Sequence, residues 1–156
     1  MSKLRAAVLG ATGIAGQEFL VALDDHPRFV VTRVGASPRS AGKKYKDALR
    51  DPSGKLNWYL PERLPPGVEG LVVEDCAAMA TADGVGDVDV VFAALESDAA
   101  KTLEPLFAKH VPVLSTASAF RYEPDVPILL PGVNLDHAKL LAAQRQRRGW
   151  KGFITP

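Results

Sequence analysis

The sequence predicts an α/β fold, built as a doubly wound and mostly parallel sheet with helices on both faces. Short apolar runs alternate with amphipathic stretches along the chain, which is the pattern of parallel strands joined by crossover helices. Several runs, such as VVFAAL, are continuously apolar, as expected when both faces of a parallel sheet are covered. A third observation is a glycine-rich stretch directly after the first apolar run, where such folds turn from strand into helix.

The predicted elements follow one another in chain order. We expect strands at residues 4–10, 29–36, 70–75, 89–95, 112–117, 127–132 and 152–155. We expect helices at residues 14–25, 77–82, 98–109 and 135–148. Residues 51–69 contain four prolines and two glycines, and this composition predicts an insertion on the surface.

Length and composition indicate one compact domain, because 156 residues that are 47% hydrophobic can form a core of their own. Nineteen basic and eighteen acidic residues give a net charge of +1, and their scatter lacks the basic patch of a nucleic-acid binder. No apolar run approaches the roughly 18 residues of a membrane span. The single cysteine, Cys76, excludes an internal disulfide, and the N-terminal residues show no export signal, so we expect a cytoplasmic protein.

The stretch GATGIAGQEF places three glycines at intervals of three residues, at Gly10, Gly13 and Gly16. In a strand-turn-helix unit the first glycine permits a tight turn, the second lets the backbone approach a pyrophosphate, and the third lets the helix pack closely on the sheet. The phosphates then lie at the N-terminus of the helix, where unpaired N–H groups favour an anion. The motif G-x-x-G-x-x-G therefore predicts a dinucleotide site; the alternative is that the glycines serve only the turn.

The loop after the second predicted strand, ASPRSAGKKY, carries no carboxylate. Folds that select NAD place an acidic residue here to bond the ribose 2′-OH. Ser37, Arg39, Ser40 and Lys43 offer hydroxyls and cations instead, which can bind a 2′-phosphate. The loop therefore favours NADP over NAD; the alternative is a solvated basic loop.

Two later loops also follow predicted strands. The first is ALESDAAKTL, which we expect to line the ribose and nicotinamide of the cofactor, although Ser97 or Asp98 as a helix N-cap explains the same residue types. The second is STASAFRYEPDVPILLPGVN. Its small residues leave room for a ligand, and Arg121 beyond them has a planar guanidinium suited to phosphate or carboxylate.

The chain resembles the N-terminal NADP-binding domain of the aspartate-semialdehyde dehydrogenase family in LGATGIAGQEF, GASPRSAGKKY, VVFAALESDAA, STASAFRYEPDVPILLPGVN and GFITP. The resemblance implies NADPH-dependent reduction of β-aspartyl phosphate to aspartate semialdehyde, on the route to lysine, threonine and methionine, with a cysteine thiolate as nucleophile. It implies cofactor binding by Gly10, Thr12, Gly13, Ile14 and Ala15 at the pyrophosphate, by Ser37, Arg39, Ser40 and Lys43 at the 2′-phosphate, and by Ala94, Leu95 and Ser97. Arg121 matches the family's arginine for the substrate phosphate.

The resemblance also implies that residues 1–156 form an NADP-binding domain and that a C-terminal catalytic and dimerisation domain, with the nucleophilic cysteine, is absent. We therefore expect no catalytic residue here and an inert chain. Cys76 matches no catalytic loop, and we expect it to be a small apolar filler. His26, His110 and His137 lack the spacing of a metal site and are expected at the surface. The full enzyme is expected to be a homo-oligomer that binds a small-molecule substrate, and neither nucleic acid nor membrane.

The sequence departs from the family pattern at three positions. Proline, asparagine and glutamate are usual in the family where this chain has Glu96, Thr116 and Gly132. These differences bear on cofactor orientation and subunit contacts rather than on the fold.

Several alternative functions stay open. N-acetyl-γ-glutamyl-phosphate reductase shares the glycine motif and the arginine segment, and archaeal-type malonyl-CoA reductase resembles the same domain. A different class is a non-catalytic NADP-binding sensor domain. An absent domain predicts an apolar patch, for which Trp150 and Phe153 are candidates.

Overall fold

The computed structural model describes residues 2–156, and its sheet has six strands with parallel pairing throughout. The strands are β1 (Leu4–Leu9), β2 (Phe29–Ala36), β3 (Val73–Asp75), β4 (Val90–Ala93), β5 (Val113–Ser115) and β6 (Ile154–Thr155). Their order across the sheet is β3-β2-β1-β4-β5-β6. The chain thus builds outward from β1 in one direction and then in the other, which confirms the predicted doubly wound topology.

The helices predicted at 14–25 and 98–109 form, those at Tyr45–Ala48 and Pro66–Glu69 were not predicted, and the other two predicted helices differ from the structure. The helices are α1 (Ile14–Ala22), α2 (Tyr45–Ala48), α3 (Pro66–Glu69), α4 (Cys76–Met79), α5 (Ala82–Val85), α6 (Ser97–Ala108), a 3-10 helix (Leu135–Lys139) and α7 (Leu140–Arg148). The single helix predicted at 77–82 is wrong, because α4 ends at Met79 and Thr81 caps α5 by accepting a hydrogen bond from the Gly84 amide at 2.9 Å. The helix predicted at 135–148 begins as a 3-10 turn. None of the described helices is long and apolar enough to cross a membrane.

Both faces of the sheet are covered, and β1 shows this most directly. Leu9 packs into one apolar cluster with Phe107 of α6, whereas Val8 packs into a second cluster with Leu20 of α1. All four side chains are buried. Because successive side chains of a strand point to opposite faces, a strand between two helical layers must be apolar at every position. This is why the central strands lack a polar-apolar alternation.

The strand predicted at 127–132 does not form. At the open side of β6 a side chain bonds the backbone instead of a strand: the Ile154 amide donates to Gln144 Oε1 at 2.8 Å, and Gln144 Nε2 donates to the Ile154 carbonyl at 3.0 Å. Pro127 and Pro131 lack the N–H groups that a sheet ladder needs. The Pro127 carbonyl instead accepts a hydrogen bond from the Thr155 hydroxyl at 2.8 Å.

Residues 51–69, predicted as a surface insertion, are exposed only in part. Leu64 and Val68 are buried in the apolar cluster that also contains Leu20. Proline at the first position of α3 explains the helix within this segment, because its fixed φ suits a helix start. The segment therefore belongs to the helical layer over one face of the sheet.

Trp150 and Phe153 do not form an open apolar patch. Each is half-buried, with the guanidinium of Arg148 5.1 Å from the Trp150 ring centre and that of Arg145 5.1 Å from the Phe153 ring centre. Exposed apolar side chains lie together in the sequence instead, at Tyr122, Ile128, Leu130, Val133, Leu135 and Leu140. The predicted candidates are thus corrected in favour of segment 122–140.

Candidate functional site

The carboxyl ends of β1 to β4 border a cleft of about 460 Å³. We call it the glycine cleft, and its lining is Gly10, Thr12, Gly13, Ala36, Ser37, Pro38, Asp75, Cys76, Ala77, Ala94, Leu95, Glu96, Ala99 and Leu103. β1 lies between β2 and β4 in the sheet, so the crossovers on its two sides leave in opposite directions. Ligands of open parallel sheets bind in the crevice at such a switch point.

The three glycines of the loop after β1 meet three different requirements. Gly10 has φ +69°, and a Cβ there would lie 2.2 Å from the Ala94 carbonyl oxygen, so the turn and the approach to β4 both require glycine. A Cβ at Gly16 would lie 2.2 Å from the Gly10 carbonyl oxygen. At Gly13 the nearest atom is 3.5 Å away, so its missing side chain leaves open space at the cleft instead of relieving a clash.

The same loop presents unpaired amides at the start of α1. Gly13 is the N-cap and supplies no side-chain cap. Within residues 2–156 the amides of Thr12, Ile14 and Ala15 donate no hydrogen bond to the chain. Unpaired amides at a helix N-terminus carry partial positive charge and suit an anion. The loop can therefore hold a phosphate through backbone groups alone.

Buried side chains bind the carbonyl groups of this loop. The Tyr45 hydroxyl donates to the Ala11 carbonyl at 2.6 Å. Gln17 Nε2 donates to the Thr12 carbonyl at 3.2 Å and to the Asn57 carbonyl at 2.9 Å, and Gln17 Oε1 accepts from the Tyr59 amide at 2.9 Å. Tyr45 and Gln17 are both fully buried, so two buried side chains hold the loop through hydrogen bonds to its carbonyl groups.

A second, polar cavity of about 710 Å³ adjoins the loop. We call it the basic cleft, and its lining is Thr12, Arg39, Ser40, Lys43, Asp47, Ala48, Leu49, Arg50, Asp51, Pro52, Asn57 and Tyr59. Thr12 lines both clefts. The ion pairs of the described residues include neither Arg39 nor Lys43, so both cations are available to an anionic ligand.

The carboxylates at the basic cleft do not offset these cations directly. Asp51 accepts hydrogen bonds from the Ser53 hydroxyl at 2.6 Å and from the Ser53 amide at 2.8 Å. The hydroxyl bond is the main cause that lowers the pKa of Asp51, and it turns the carboxylate toward its own turn. Ser37, the remaining predicted residue of this loop, lines the glycine cleft instead.

The loops after β4 and β5 meet at the same edge of the sheet. Ser97 Oγ and Ser118 Oγ are 2.8 Å apart, and the Thr116 amide donates to the Ala93 carbonyl at 2.9 Å. Arg121 is exposed, and its Nη2 donates to the Thr116 carbonyl at 2.9 Å. Ala94 and Leu95 line the glycine cleft, whereas Ser97 and Arg121 lie outside the linings of both clefts.

A buried carboxyl group supports the loop after β5. Glu104 Oε1 accepts a hydrogen bond from the Ser115 hydroxyl at 2.6 Å, and Ser115 Oγ accepts one from the Ala117 amide at 3.0 Å. Glu104 is fully buried, and its second oxygen has no partner among the described residues. Burial raises the pKa of Glu104, against the opposing effect of the Ser115 bond. The spacing of Ala100, Glu104 and Ala108 along α6 could have placed this side chain inward.

Glutamine at position 104 is expected to make the fold less sensitive to rising pH. A carboxyl whose pKa is raised by folding contributes stability below its unfolded pKa of about 4.3, and this stability is lost as pH rises through the folded pKa. The glutamine side chain of Glu104→Gln cannot ionise. The urea midpoint of the variant minus that of the original chain should therefore be larger at pH 8 than at pH 4. Glu62→Gln, at an exposed position, is the control. A pH-independent difference would contradict the expectation.

Cys76 lies in the wall of the glycine cleft. Its side chain is buried among apolar groups, and burial raises the pKa of the thiol to about 11, so the thiolate is scarce at neutral pH. Position and burial agree with the predicted apolar filler. The neighbouring Asp75 caps α4 by accepting a hydrogen bond from the Ala77 amide at 3.1 Å.

The three histidines predicted at the surface differ in exposure. His26 is half-buried, and its Nδ1 accepts hydrogen bonds from the Arg28 amide at 3.1 Å and the Phe29 amide at 3.2 Å. His110 is half-buried too, whereas His137 is exposed as predicted. Among the described residues, no three His, Cys, Asp or Glu side chains are grouped as a metal site would require.

A family described as "Semialdehyde dehydrogenase, NAD binding domain" matches residues 5–141. The chain belongs to this semialdehyde dehydrogenase family. Aspartate-semialdehyde dehydrogenase from Methanothermobacter thermautotrophicus is 45% identical over 152 residues, which cover 97% of this chain and 41% of that protein. The enzyme from Aspergillus fumigatus is 42% identical over 155 residues, which cover 98% and 40%.

A solved structure extends the comparison to the fold. The chain of aspartate semialdehyde dehydrogenase with NADP from Candida albicans aligns with a TM-score of 0.82 and 39% identity, over 99% of this chain and 42% of that one. The motif-based resemblance to the semialdehyde dehydrogenase family is thereby confirmed. The chain spans about two fifths of the length of the curated relatives it matches.

Proposed function

We propose that this chain is the NADP-binding part of an aspartate-semialdehyde dehydrogenase. The whole enzyme would reduce β-aspartyl phosphate to aspartate semialdehyde, with release of phosphate. The observation that carries the proposal is the pair of clefts joined at Thr12. One offers unpaired amides after β1, and the other offers Arg39 and Lys43 without a paired carboxylate, which suits a nucleotide with both a pyrophosphate and a 2′-phosphate.

The residues of the two clefts fit NADP in separate roles. The open space at Gly13, where a side chain would otherwise project, favours close approach of a phosphate to the backbone. Gly10, Thr12, Gly13, Ile14 and Ala15 would bind the pyrophosphate, Ser37, Arg39, Ser40 and Lys43 the 2′-phosphate, and Ala94, Leu95 and Ser97 the ribose and nicotinamide. When bound, NADPH supplies the hydride. Arg121 would bind the phosphate of the substrate.

We propose that residues 1–156 act as a nucleotide-binding domain and that the nucleophile belongs to another part of the enzyme. The relatives' greater length supports this division, as does the buried, protonated thiol of Cys76. The exposed apolar side chains of segment 122–140 supply a surface for contact with further polypeptide, in the same subunit or in a homo-oligomer. A cytoplasmic location fits the free thiol of the one cysteine.

Calorimetric titration of the 156-residue chain with NADP⁺ and NAD⁺ tests the proposal. NADP⁺ should bind more tightly, and Arg39→Ala should weaken NADP⁺ by about ten- to a hundredfold, because it removes a charged hydrogen-bond donor. Binding of NAD⁺ should stay within about twofold. Arg63→Ala, at an exposed position outside both clefts, is the control. Equal affinity for the two nucleotides in the unaltered chain would contradict the proposal.

A further inference from the structure

A buried hydrogen bond joins the basic loop, residues 37–45, to the glycine loop, residues 10–16. Tyr45 begins α2 directly after the basic residues Lys43 and Lys44. Its hydroxyl donates to the Ala11 carbonyl at 2.6 Å. Among the described residues no other hydrogen bond connects these two loops. Burial raises the pKa of Tyr45, so the hydroxyl stays protonated and keeps donating.

This contact sets the direction in which the glycine loop presents an amide. The described peptide bonds are trans, so the carbonyl and the following N–H of one peptide point in opposite directions. The Ala11 carbonyl is directed at Tyr45, and the Thr12 amide is therefore directed away from it. Thr12 is the residue that lines both clefts, and its amide is unpaired within residues 2–156.

The basic loop is itself anchored to the edge of the sheet. The Gly42 amide donates to the Val73 carbonyl and the Val73 amide to the Lys43 carbonyl, both at 2.8 Å, and the Tyr45 amide donates to the Leu71 carbonyl at 2.8 Å. The aromatic ring therefore extends from a fixed backbone. The Tyr45 hydroxyl thereby connects the glycine loop to the loop that carries Arg39 and Lys43.

We propose that Tyr45 is a positioning residue that sets the spacing between the 2′-phosphate and pyrophosphate subsites. The inference rests on the proposed NADP binding and goes beyond it, because Tyr45 itself lines neither cleft. A ligand that spans both subsites benefits from their preset spacing, whereas a ligand that uses one subsite does not. Selectivity for NADP then depends on the two loops as a pair, and not on the cations alone.

Tyr45→Phe removes the hydroxyl and keeps the ring, and three ligands separate its effects. NADP⁺ spans both subsites, 2′-AMP contacts the basic loop without a pyrophosphate, and NAD⁺ lacks the 2′-phosphate. Calorimetry should show NADP⁺ weakened by about tenfold, as expected for one lost hydrogen bond, with 2′-AMP unchanged within about twofold. Tyr122→Phe, which removes an exposed tyrosine hydroxyl outside both clefts, should change neither. Thermal unfolding of each variant checks that the chain is folded.

Unchanged NADP⁺ affinity in folded Tyr45→Phe would overturn the inference, as would an equal loss for 2′-AMP and NADP⁺, which marks a purely structural role. If the unaltered chain binds neither nucleotide, the proposed function itself fails, and the inference with it. Amide exchange of the unaltered chain gives a second measurement should the variant not fold. Saturating 2′-AMP should then slow exchange at the Ala11 amide, which donates to the Gly35 carbonyl away from the ligand; no change there would also overturn the inference.

Discussion

Alanine in place of Gly16 is expected to destabilise the fold by about 3 kcal/mol. Its Cβ would lie 2.2 Å from the Gly10 carbonyl oxygen and 2.7 Å from the Ala11 Cα. Both contacts are backbone, and the backbone there is fixed because the Ala11 amide donates to the Gly35 carbonyl at 3.0 Å. Neither side can yield without breaking the packing of α1 on the sheet. Urea denaturation followed by circular dichroism measures the loss.

Gly67→Ala is the matched control for Gly16→Ala. Gly67 also lies in a helix, α3, but a Cβ there meets nothing within 4 Å. Alanine has the better helix propensity, so this variant should be as stable as the original chain or more stable by up to about 1 kcal/mol. If Gly16→Ala and Gly67→Ala unfold at the same urea concentration, the close packing of the glycine loop is not what requires glycine at position 16.

Gly13→Ala is expected to abolish most nucleotide binding while the fold persists. Its φ of −84° is ordinary for alanine, and its Cβ meets a single atom, at 3.5 Å. The methyl group would instead occupy the space beside the unpaired amides of Thr12 and Ile14, where we propose that the pyrophosphate lies. NADP⁺ and NAD⁺ should both weaken by about ten- to a hundredfold, the cost of overpacking one methyl group.

The pattern across ligands distinguishes Gly13→Ala from Arg39→Ala. The first should weaken both nucleotides because both carry the pyrophosphate, and the second should weaken NADP⁺ alone. Gly70→Ala, at an exposed position with φ −92° and no neighbour within 4 Å, controls for a glycine-to-alanine change. If calorimetry gives Gly13→Ala the same nucleotide affinity as the original chain, the nucleotide does not approach the backbone at this point.

The sequence predicted the elements whose signals are local. The apolar runs placed β1, β2 and β4, and the periodicity placed α6, because a strand or helix buried in this fold must show those patterns. Turn chemistry likewise placed the glycine loop at the switch point of the sheet. The basic loop lacks a carboxylate in its own residues, so its charge could also be predicted from the sequence.

Features that depend on distant partners could not be predicted. Tyr45 belongs to the predicted basic loop and Gln17 to a predicted helix, and their contacts with Ala11 and Thr12 exist only because the sheet brings the loops together. Residues 127–132 have the apolar composition of a strand, and nothing local shows that Gln144 occupies the edge of β6. In each case a buried polar side chain replaced a backbone partner, which residue type alone does not reveal.

The two hydrogen bonds between Gln144 and Ile154 affect whether another strand can pair with β6. A parallel sheet ends in strands whose outward amides and carbonyls can recruit an extended segment of another molecule, the first step of fibril growth. At β6 both outward groups of Ile154 are already engaged by one glutamine side chain. A side-chain amide can complete a backbone ladder for one residue but cannot extend it. A further strand therefore cannot pair with β6 at Ile154, because a side chain of α7 already takes that place.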